Sequence, residues 1–295
     1  MKLTVFTPTY NRQDELRALY DNIRTELLKI NTDFVEWIIV DDGSDDNTKE
    51  VVRNFSLVRN FEIKYFYQKN SGKHVAFNLG IEHSEGDIFI CMDDDDRFSE
   101  NAISMIFYLG KKYRNMKYGG FVGRPIDLKG KVLGKKVFED SLVSNTIEIR
   151  DKYKFWGEPE IFYTKYLKKF RFEVFEGERF LTEAFVFDRM SKKYPFVYTN
   201  EILMVKHYLP NGLTNNQLKI RIDSPCGCEA YYYQRKILSD EKIYKLKAAI
   251  NRQRFIFYID KRKRKKRKID LYDVLGWPIA RLMIVKDKKI RDRCR

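Results

Sequence analysis

Four carboxylates stand side by side at Asp93, Asp94, Asp95 and Asp96. Their mutual repulsion has to be offset, and a divalent cation offsets it well. Hard oxygen ligands suit Mg²⁺ or Mn²⁺, ions that usually bridge to substrate phosphates. A solvated acidic turn opening a helix near Ser99 is the plainer reading of the same residues, because acidic side chains favour helix starts. Two further stretches carry groups of related use. In Asp41-Asp42-Gly43-Ser44-Asp45 a carboxylate can accept from a base imide or a ribose hydroxyl. Gly43 allows a tight turn there, and Ser44 and Asp45 can cap a following helix. In Asn70-Ser71-Gly72-Lys73 backbone N–H groups and an ammonium suit a diphosphate or a base edge.

These groups need a frame that gathers them. Each follows a short apolar, β-rich run, at residues 34–40, 63–67 and 88–92, and a fourth run at 3–6 ends in Thr7-Pro8-Thr9-Tyr10-Asn11-Arg12. Helical spacing fills the intervals, over 12–28 through Leu16, Leu19, Ile23 and Leu27, then over 48–55 and 75–81. Strands separated by such helices predict right-handed βαβ units and a parallel sheet, with ligands bound outside the strands' carboxyl ends. The four polar motifs therefore fall on one rim. Beyond residue 110 the pattern loosens, with a hairpin or loop expected over 123–137, a helix over 180–193 and a strand-like stretch over 197–208 ending at the turn Pro210-Asn211-Gly212. Helix is expected over 239–267.

Composition restricts the function classes. The net charge is +15, and residues 216–295 hold 24 Lys and Arg against 9 Asp and Glu, so that segment carries the whole excess and residues 1–215 are neutral. A nucleic-acid-binding reading, motivated by the basic run and the abundant aromatics, therefore finds no support in the first 215 residues. No stretch is long and apolar enough to span a bilayer, and Lys2-Leu3-Thr4-Val5-Phe6 reads as a strand rather than a leader. The cysteines Cys91, Cys226, Cys228 and Cys294 suggest neither a disulfide scaffold nor zinc, which makes a reducing, cytoplasmic location the simplest expectation. No GxxxxGK[ST] or GxGxxG phosphate loop is present.

In order and spacing, Pro8-Thr9-Tyr10-Asn11-Arg12, Val40-Asp41-Asp42-Gly43-Ser44-Asp45, Asn70-Ser71-Gly72-Lys73 with Asn78-Leu79-Gly80, and Asp93-Asp94-Asp95-Asp96 resemble the family 2 glycosyltransferases of the GT-A fold. The likeness covers residues 1–110 strongly and extends loosely to 215. It implies an α/β, Rossmann-like, mixed but mostly parallel sheet flanked by helices. It also implies a nucleotide-diphosphate sugar donor, a UDP-sugar above all, with Mn²⁺ or Mg²⁺ and inversion at the anomeric carbon. The implied organisation is a GT-A domain at 1–215, with a nucleotide-binding half at 1–110 and an acceptor-binding half at 111–215, followed by a basic, mainly helical module at 216–295. The resemblance puts the base near Pro8, Thr9, Tyr10 and Asp41, and the rest of the nucleotide near Arg12, Asn70, Lys73, Asp93 and Asp94. The metal falls to Asp93 and Asp95. One departure is Phe77, where many relatives carry an arginine that helps bind the nucleotide; Lys73 is the residue that could supply its charge.

Relatives often place the catalytic base in an E-D pair some seven residues before an arginine. Thr182-Glu183 before Arg189 fits that frame, which puts the base at Glu183, half-buried among Phe180, Leu181, Phe185 and Phe187, with Glu178 as the second candidate. His207 is a candidate additional metal ligand, against a purely structural role. A sugar nucleotidyltransferase is the alternative reading, but the Thr7-Pro8-Thr9-Tyr10 start lacks the Gly-rich signature of that class. Finally, the eight basic residues at 261–268 precede an apolar, Trp-bearing stretch at 271–285. That composition predicts an anchor on an anionic membrane surface, at the inner face of the cell membrane. The family resemblance implies a saccharide or lipid-linked saccharide acceptor of cell-surface polysaccharide synthesis beside it.

Overall fold

The computed structural model describes residues 1–30, 34–55, 61–134, 139–153, 159–207 and 217–293, with side chains to 288. The expected turn at Pro210-Asn211-Gly212 and Cys294 lie outside the described residues. Two compact units form: Met1–Arg171 with Met190–Pro210, and Phe172–Arg189 with Asn211–Arg295. Residues 172–189, assigned from the sequence to the GT-A domain, thus cluster with the C-terminal segment.

The first unit is built on one sheet in the order β3-β2-β1-β4-β8-β6-β9-β5, with β7 paired to β9. Its strands are β1 (Lys2–Thr9), β2 (Phe34–Asp41), β3 (Phe61–Tyr67), β4 (Ile88–Cys91), β5 (Arg97–Phe98), β6 (Gly120–Ile126), β7 (Ser141–Ser144), β8 (Glu160–Tyr163) and β9 (Phe196–Val205). The first four strands are mutually parallel, as βαβ connections demand. The register sets Thr9 opposite Asp41 and Asp41 opposite Tyr67, so the polar motifs share one rim. Strands β5, β7 and β8 run antiparallel to their neighbours, while β6 and β9 pair in parallel. Sequence reading missed β7 and β8. It also took β6 for part of a loop, although Ile126 does bridge back to Val132 across a turn at Gly130.

Helices cover the sheet because their apolar stripes match it. Helix α1 (Gln13–Leu27) buries Leu16, Leu19, Ile23 and Leu27, the i, i+3, i+4 face that the sequence predicts. Two short segments follow, α2 (Thr48–Arg53) and α3 (Lys73–His83), and then α4 (Ala102–Tyr113). On α3, Gly80 is required by close packing: a Cβ there would lie 2.4 Å from the Phe6 ring. At the amino ends of the strands, Glu36 is fully buried and accepts from Thr4, from the amides of Glu85 and Gly86, and from Lys2 and Lys64. Glu36, Glu62 and Glu85 form a close acidic group, but the two lysines bind it into an ion network.

Between the sheet strands lie α5 (Thr146–Glu148) and α6 (Thr164–Leu167), and α7 (Ala184–Lys193) precedes β9. The second unit contains α8 (Gln217–Asp223), α9 (Pro225–Leu238), α10 (Lys242–Ile256) and α11 (Leu271–Arg293). The expected helix over 239–267 ends at Ile256, and the basic run forms no regular element apart from one 3₁₀ turn at Lys261–Lys263. Helix α10 packs against both α9 and α11, and buried ion pairs tie it to α11. Asp273, fully buried, pairs with Lys236 and accepts from Arg252 Nη1 at 2.8 Å. Arg252 also donates to Glu229 at 2.8 Å. Removing one partner strands the others without water, a loss of about 3–5 kcal/mol. Asp273→Ala is therefore expected to lower stability by about that amount, read as a reduced urea midpoint of the transition in which the helical unit melts. A change of under about 1 kcal/mol would mean that the network is merely tolerated.

Candidate active site

The loops at the carboxyl ends of β1 and β2 are tied to each other before any ligand is considered. Asn11 takes a positive φ of 53°, a conformation that Asn tolerates, and its amide donates to Ser44 Oγ at 2.9 Å while its side chain accepts from the Asp45 amide at 2.9 Å. Gly43 has φ 89°, and a Cβ there would come within 2.7 Å of the Asn70 nitrogen. Asp41 is buried and accepts from the Ser44 amide at 2.7 Å and the Tyr65 hydroxyl at 2.6 Å. Asp42 holds the next loop, accepting from Gln68 Nε2 and the Ser71 amide at 2.7 Å and from the Gly72 amide at 2.8 Å. Two of the backbone donors that the sequence offers to a diphosphate are therefore taken by Asp42. Tyr10 stands 47% exposed on the same rim, with Pro8 partly exposed beside it.

The four aspartates after β4 divide their tasks by burial. Asp94, 5% exposed, turns inward: it accepts from Thr9 Oγ1 at 2.9 Å and Arg12 Nη1 at 3.0 Å. Burial above all, then Asp93 and Asp95, lift its carboxyl to about 7 against the pull of Arg12. Asp96 is also buried; Lys206 Nζ lies 3.1 Å from it and the His207 amide 3.4 Å. Burial raises its pKa, and the Lys206 charge opposes the rise. Asp93 and Asp95 are more open. Asp95 accepts from Arg12 at 2.9 Å, and Asp93 from Lys73, whose Nζ lies 2.6 Å from Oδ1. Burial works against the Asp93 charge, but Lys73 and Lys206 outweigh it and hold the carboxyl below its usual range.

Oxygens of Asp93, Asp95 and Asp96 lie within 4.8 Å of one another. A hard, all-oxygen donor set of three carboxylates fits Mg²⁺ or Mn²⁺. The sequence-predicted pair, Asp93 and Asp95, is thus brought together, and Asp96 joins it. Asp94, expected near the nucleotide, accepts from Thr9 and Arg12. His207 is exposed and meets the cluster through its backbone amide.

Sequence reading also missed Lys206. It reaches the cluster from the end of β9, where Arg97 pairs with Val205, a register no local pattern announces. Phe77 has no exposed surface and lies against Phe6 and Phe89, with ring centroids 5.0 and 5.6 Å away. One turn earlier on α3, Lys73 delivers a cation to the rim.

A family model described as glycosyl transferase family 2 matches residues 4–177. The chain belongs to that family. Among the relatives of this glycosyltransferase is the Campylobacter jejuni GalNAc(5)-diNAcBac-PP-undecaprenol beta-1,3-glucosyltransferase, 29% identical over 189 residues, which are 62% of this chain and 56% of that protein. The Bacillus subtilis minor teichoic acid biosynthesis protein GgaA is 30% identical over 106 residues, 35% of this chain and 24% of that protein. The chain thus spans little more than half of the first relative's length. In fold it is similar to S. aureus TarS 1–349 in complex with UDP-GlcNAc, with TM-score 0.57, 16% identity, and coverage of 97% of this chain and 81% of that one. A mannosyltransferase from Pyrobaculum calidifontis, in complex with GDP-Man and Mn²⁺, gives TM-score 0.54 at 16% identity, covering 97% of this chain and 87% of that one. These likenesses bear out the GT-A architecture.

In the second unit, Glu183 stands just before α7 rather than within it. Its carbonyl accepts from the Val186 and Phe187 amides at 3.0 and 3.1 Å, the bonds of an N-cap residue, so the expected helix over 180–193 starts four residues late. Glu178 is engaged elsewhere: its two oxygens accept from the Cys226 and Gly227 amides at 2.7 and 2.8 Å, satisfying the first turn of α9.

His74, on α3, is 2% exposed, and among the described residues neither ring nitrogen has a hydrogen-bond partner. Burial drives its pKa down to about 4, with Asp42 opposing. The unfolded chain binds this proton near 6.5 and the folded chain does not. Stability is therefore full above pH 6.5 and falls as pH drops toward 4, by on the order of 3 kcal/mol. His74→Leu should flatten the decline of the urea midpoint between pH 6.5 and 4 relative to the parent. Parallel pH profiles for the two proteins would refute the assignment.

Proposed function

We propose that this family 2 glycosyltransferase moves a sugar from a nucleotide-diphosphate donor, a UDP-sugar above all, to a hydroxyl of a saccharide acceptor with inversion. The observation that carries the reading is the group of Asp93, Asp95 and Asp96 oxygens at the carboxyl ends of parallel strands, balanced by Arg12, Lys73 and Lys206. Tyr10, Pro8 and Asp41 are the proposed base contacts, with Thr9 and Asn70 shaping the loops around them. Asp93 and Asp95, with Asp96, would hold Mn²⁺ or Mg²⁺, which when bound neutralises charge developing on the leaving diphosphate. Arg12 and Lys73 are the side chains on this rim able to exchange a carboxylate for a phosphate oxygen.

Glu183 is the proposed base. As the acceptor oxygen forms its bond to the anomeric carbon, the hydroxyl proton passes to the Glu183 carboxylate. The bond from that carbon to the diphosphate breaks, and its electron pair leaves with the nucleotide. Attack from the opposite side gives a β-linked product from an α-linked donor. The preference for Glu183 over Glu178 rests on the two helix amides that already hold Glu178. The Campylobacter relative is named for an undecaprenol-linked saccharide, which supports a lipid-linked acceptor in cell-surface polysaccharide synthesis. The basic module at 261–295 supports peripheral binding at the inner, anionic face of the cell membrane.

A panel of UDP-, GDP- and dTDP-sugars with Mn²⁺ tests the donor class, read as donor hydrolysis and thermal shift. Asp95→Asn should lower transfer by roughly 10²-fold or more without lowering the melting temperature, because it removes a carboxylate that acts on charge in the transition state. Full activity in that variant, or in excess EDTA, would exclude a metal-dependent reaction. Glu183→Gln should keep donor binding and lose turnover by roughly 10²–10⁴-fold. A folded but inactive Glu178→Gln beside an active Glu183→Gln would move the base to Glu178.

A further inference from the structure

Helix α11 is amphipathic in the wrong sense for a helix of a water-exposed surface. Its inward stripe is Asp273, Gly276, Ala280, Ile284 and Asp287. These residues recur at intervals of three and four, as one face of a helix must. The stripe is held by ions on either side of two buried apolar residues, Ala280 and Ile284. Asp273 meets Lys236 and Arg252, and Asp287 accepts from Arg254 Nε at 2.6 Å. Gly276 allows close approach to α10, since a Cβ there would lie 3.0 Å from the Ile250 nitrogen.

The opposite face is apolar and open. Leu271 is 69% exposed, Val274 62%, Leu275 54%, Leu282 73% and Val285 54%, and at 3.6 residues per turn they form one strip with Pro278. Trp277 and Ile279 flank it, and Arg281, Lys286 and Lys288 edge it with exposed positive charge. The basic run at 261–268, exposed except at Arg267, which pairs with Glu229, leads into the same helix.

We propose that the outward face of α11 inserts into the headgroup region of an anionic bilayer. The buried ion pairs of Asp273 and Asp287 fix the helix's rotation so that its leucines point outward. The inference rests on the membrane reading of residues 261–295 given above and assigns the inserting face. Charge complementarity selects the occupant: apolar side chains rimmed by Lys and Arg match acyl chains beneath anionic headgroups. No helix among the described residues is long and apolar enough to cross a membrane. Pro278 has no N–H for the Val274 carbonyl, so insertion stays shallow, where water reaches that carbonyl.

The test uses the full chain and sedimentation with vesicles of 3:7 phosphatidylglycerol to phosphatidylcholine, with brominated lipid as a quencher of tryptophan fluorescence. The parent should co-sediment, more weakly at high salt, with quenching that disappears in Trp277→Phe. Leu275→Glu/Leu282→Glu, at exposed sites, should keep its helix content and lose about tenfold or more in partitioning. Lys261→Glu/Lys266→Glu/Lys268→Glu should weaken binding to anionic vesicles. Undiminished binding by the leucine variant beside loss in the lysine variant would overturn insertion while leaving charge-driven membrane association intact. Absence of vesicle binding by the parent would overturn both. A concentration-dependent dimer in light scattering, broken by the leucine variant in the absence of vesicle binding, would assign the face to a second copy of this chain.

Discussion

Four adjacent carboxylates at the end of a buried strand would repel one another strongly enough to loosen the loop that carries them. What holds them is a ring of cations drawn from three distant parts of the chain: Arg12 after β1, Lys73 at the start of α3 and Lys206 after β9. Burial sorts the four further. Asp94 and Asp96 turn inward and lock the loop to Thr9 and Lys206, which leaves Asp93 and Asp95 as the open pair. Every cation in the ring is also a group that can bind phosphate, so the charges that hold the site without a donor are the same charges a donor would engage.

That arrangement explains why the motifs occur together. The Asn11–Ser44–Asp45 bonds join the first two loops, Asp42 joins the second to the third, and the Arg12–Asp94 pair joins the first to the fourth. Each polar motif is a clamp on a neighbouring one as well as a candidate ligand group. The acidic group at the other end of the sheet makes the contrast clear. Glu36 there is fully buried, with its oxygens satisfied by Thr4, two amides and two lysines, an arrangement suited to holding strand ends together.

The helical unit applies the same electrostatics to a different end. Burying Asp273 and Asp287 on α11 is costly unless cations accompany them, and Lys236, Arg252 and Arg254 do so. With the charged side turned inward, the apolar side of the helix faces out. Charge pairing, together with the burial of Ala280 and Ile284 on the same face, sets its orientation.

Much of this was legible in the chain. The β-rich runs ending in polar motifs fixed the order of strands and helices through β4, because βαβ units permit few alternatives. The four carboxylates from Asp93 to Asp96 were visible as adjacent charges at a strand end, with Asp93 and Asp95 singled out by the family resemblance, and the charge excess of residues 216–295 was visible by counting. The division of labour among the four aspartates was not visible, because identical residues one position apart differ only in what surrounds them. Lys206 was hidden since it reaches Asp96 from 110 residues away through the pairing of β5 with β9. Glu183 was preferred to Glu178 on the family frame alone, and only the structure shows the first turn of α9 resting on Glu178. Strands β7 and β8 are four residues each, as β4 is, but they lie outside the βαβ alternation and pair antiparallel with their neighbours, so no local pattern marked them. Local composition determines which elements form and which groups are available. Long-range pairing decides which charges meet, because the interaction of two ions depends on a distance that no sequence interval sets.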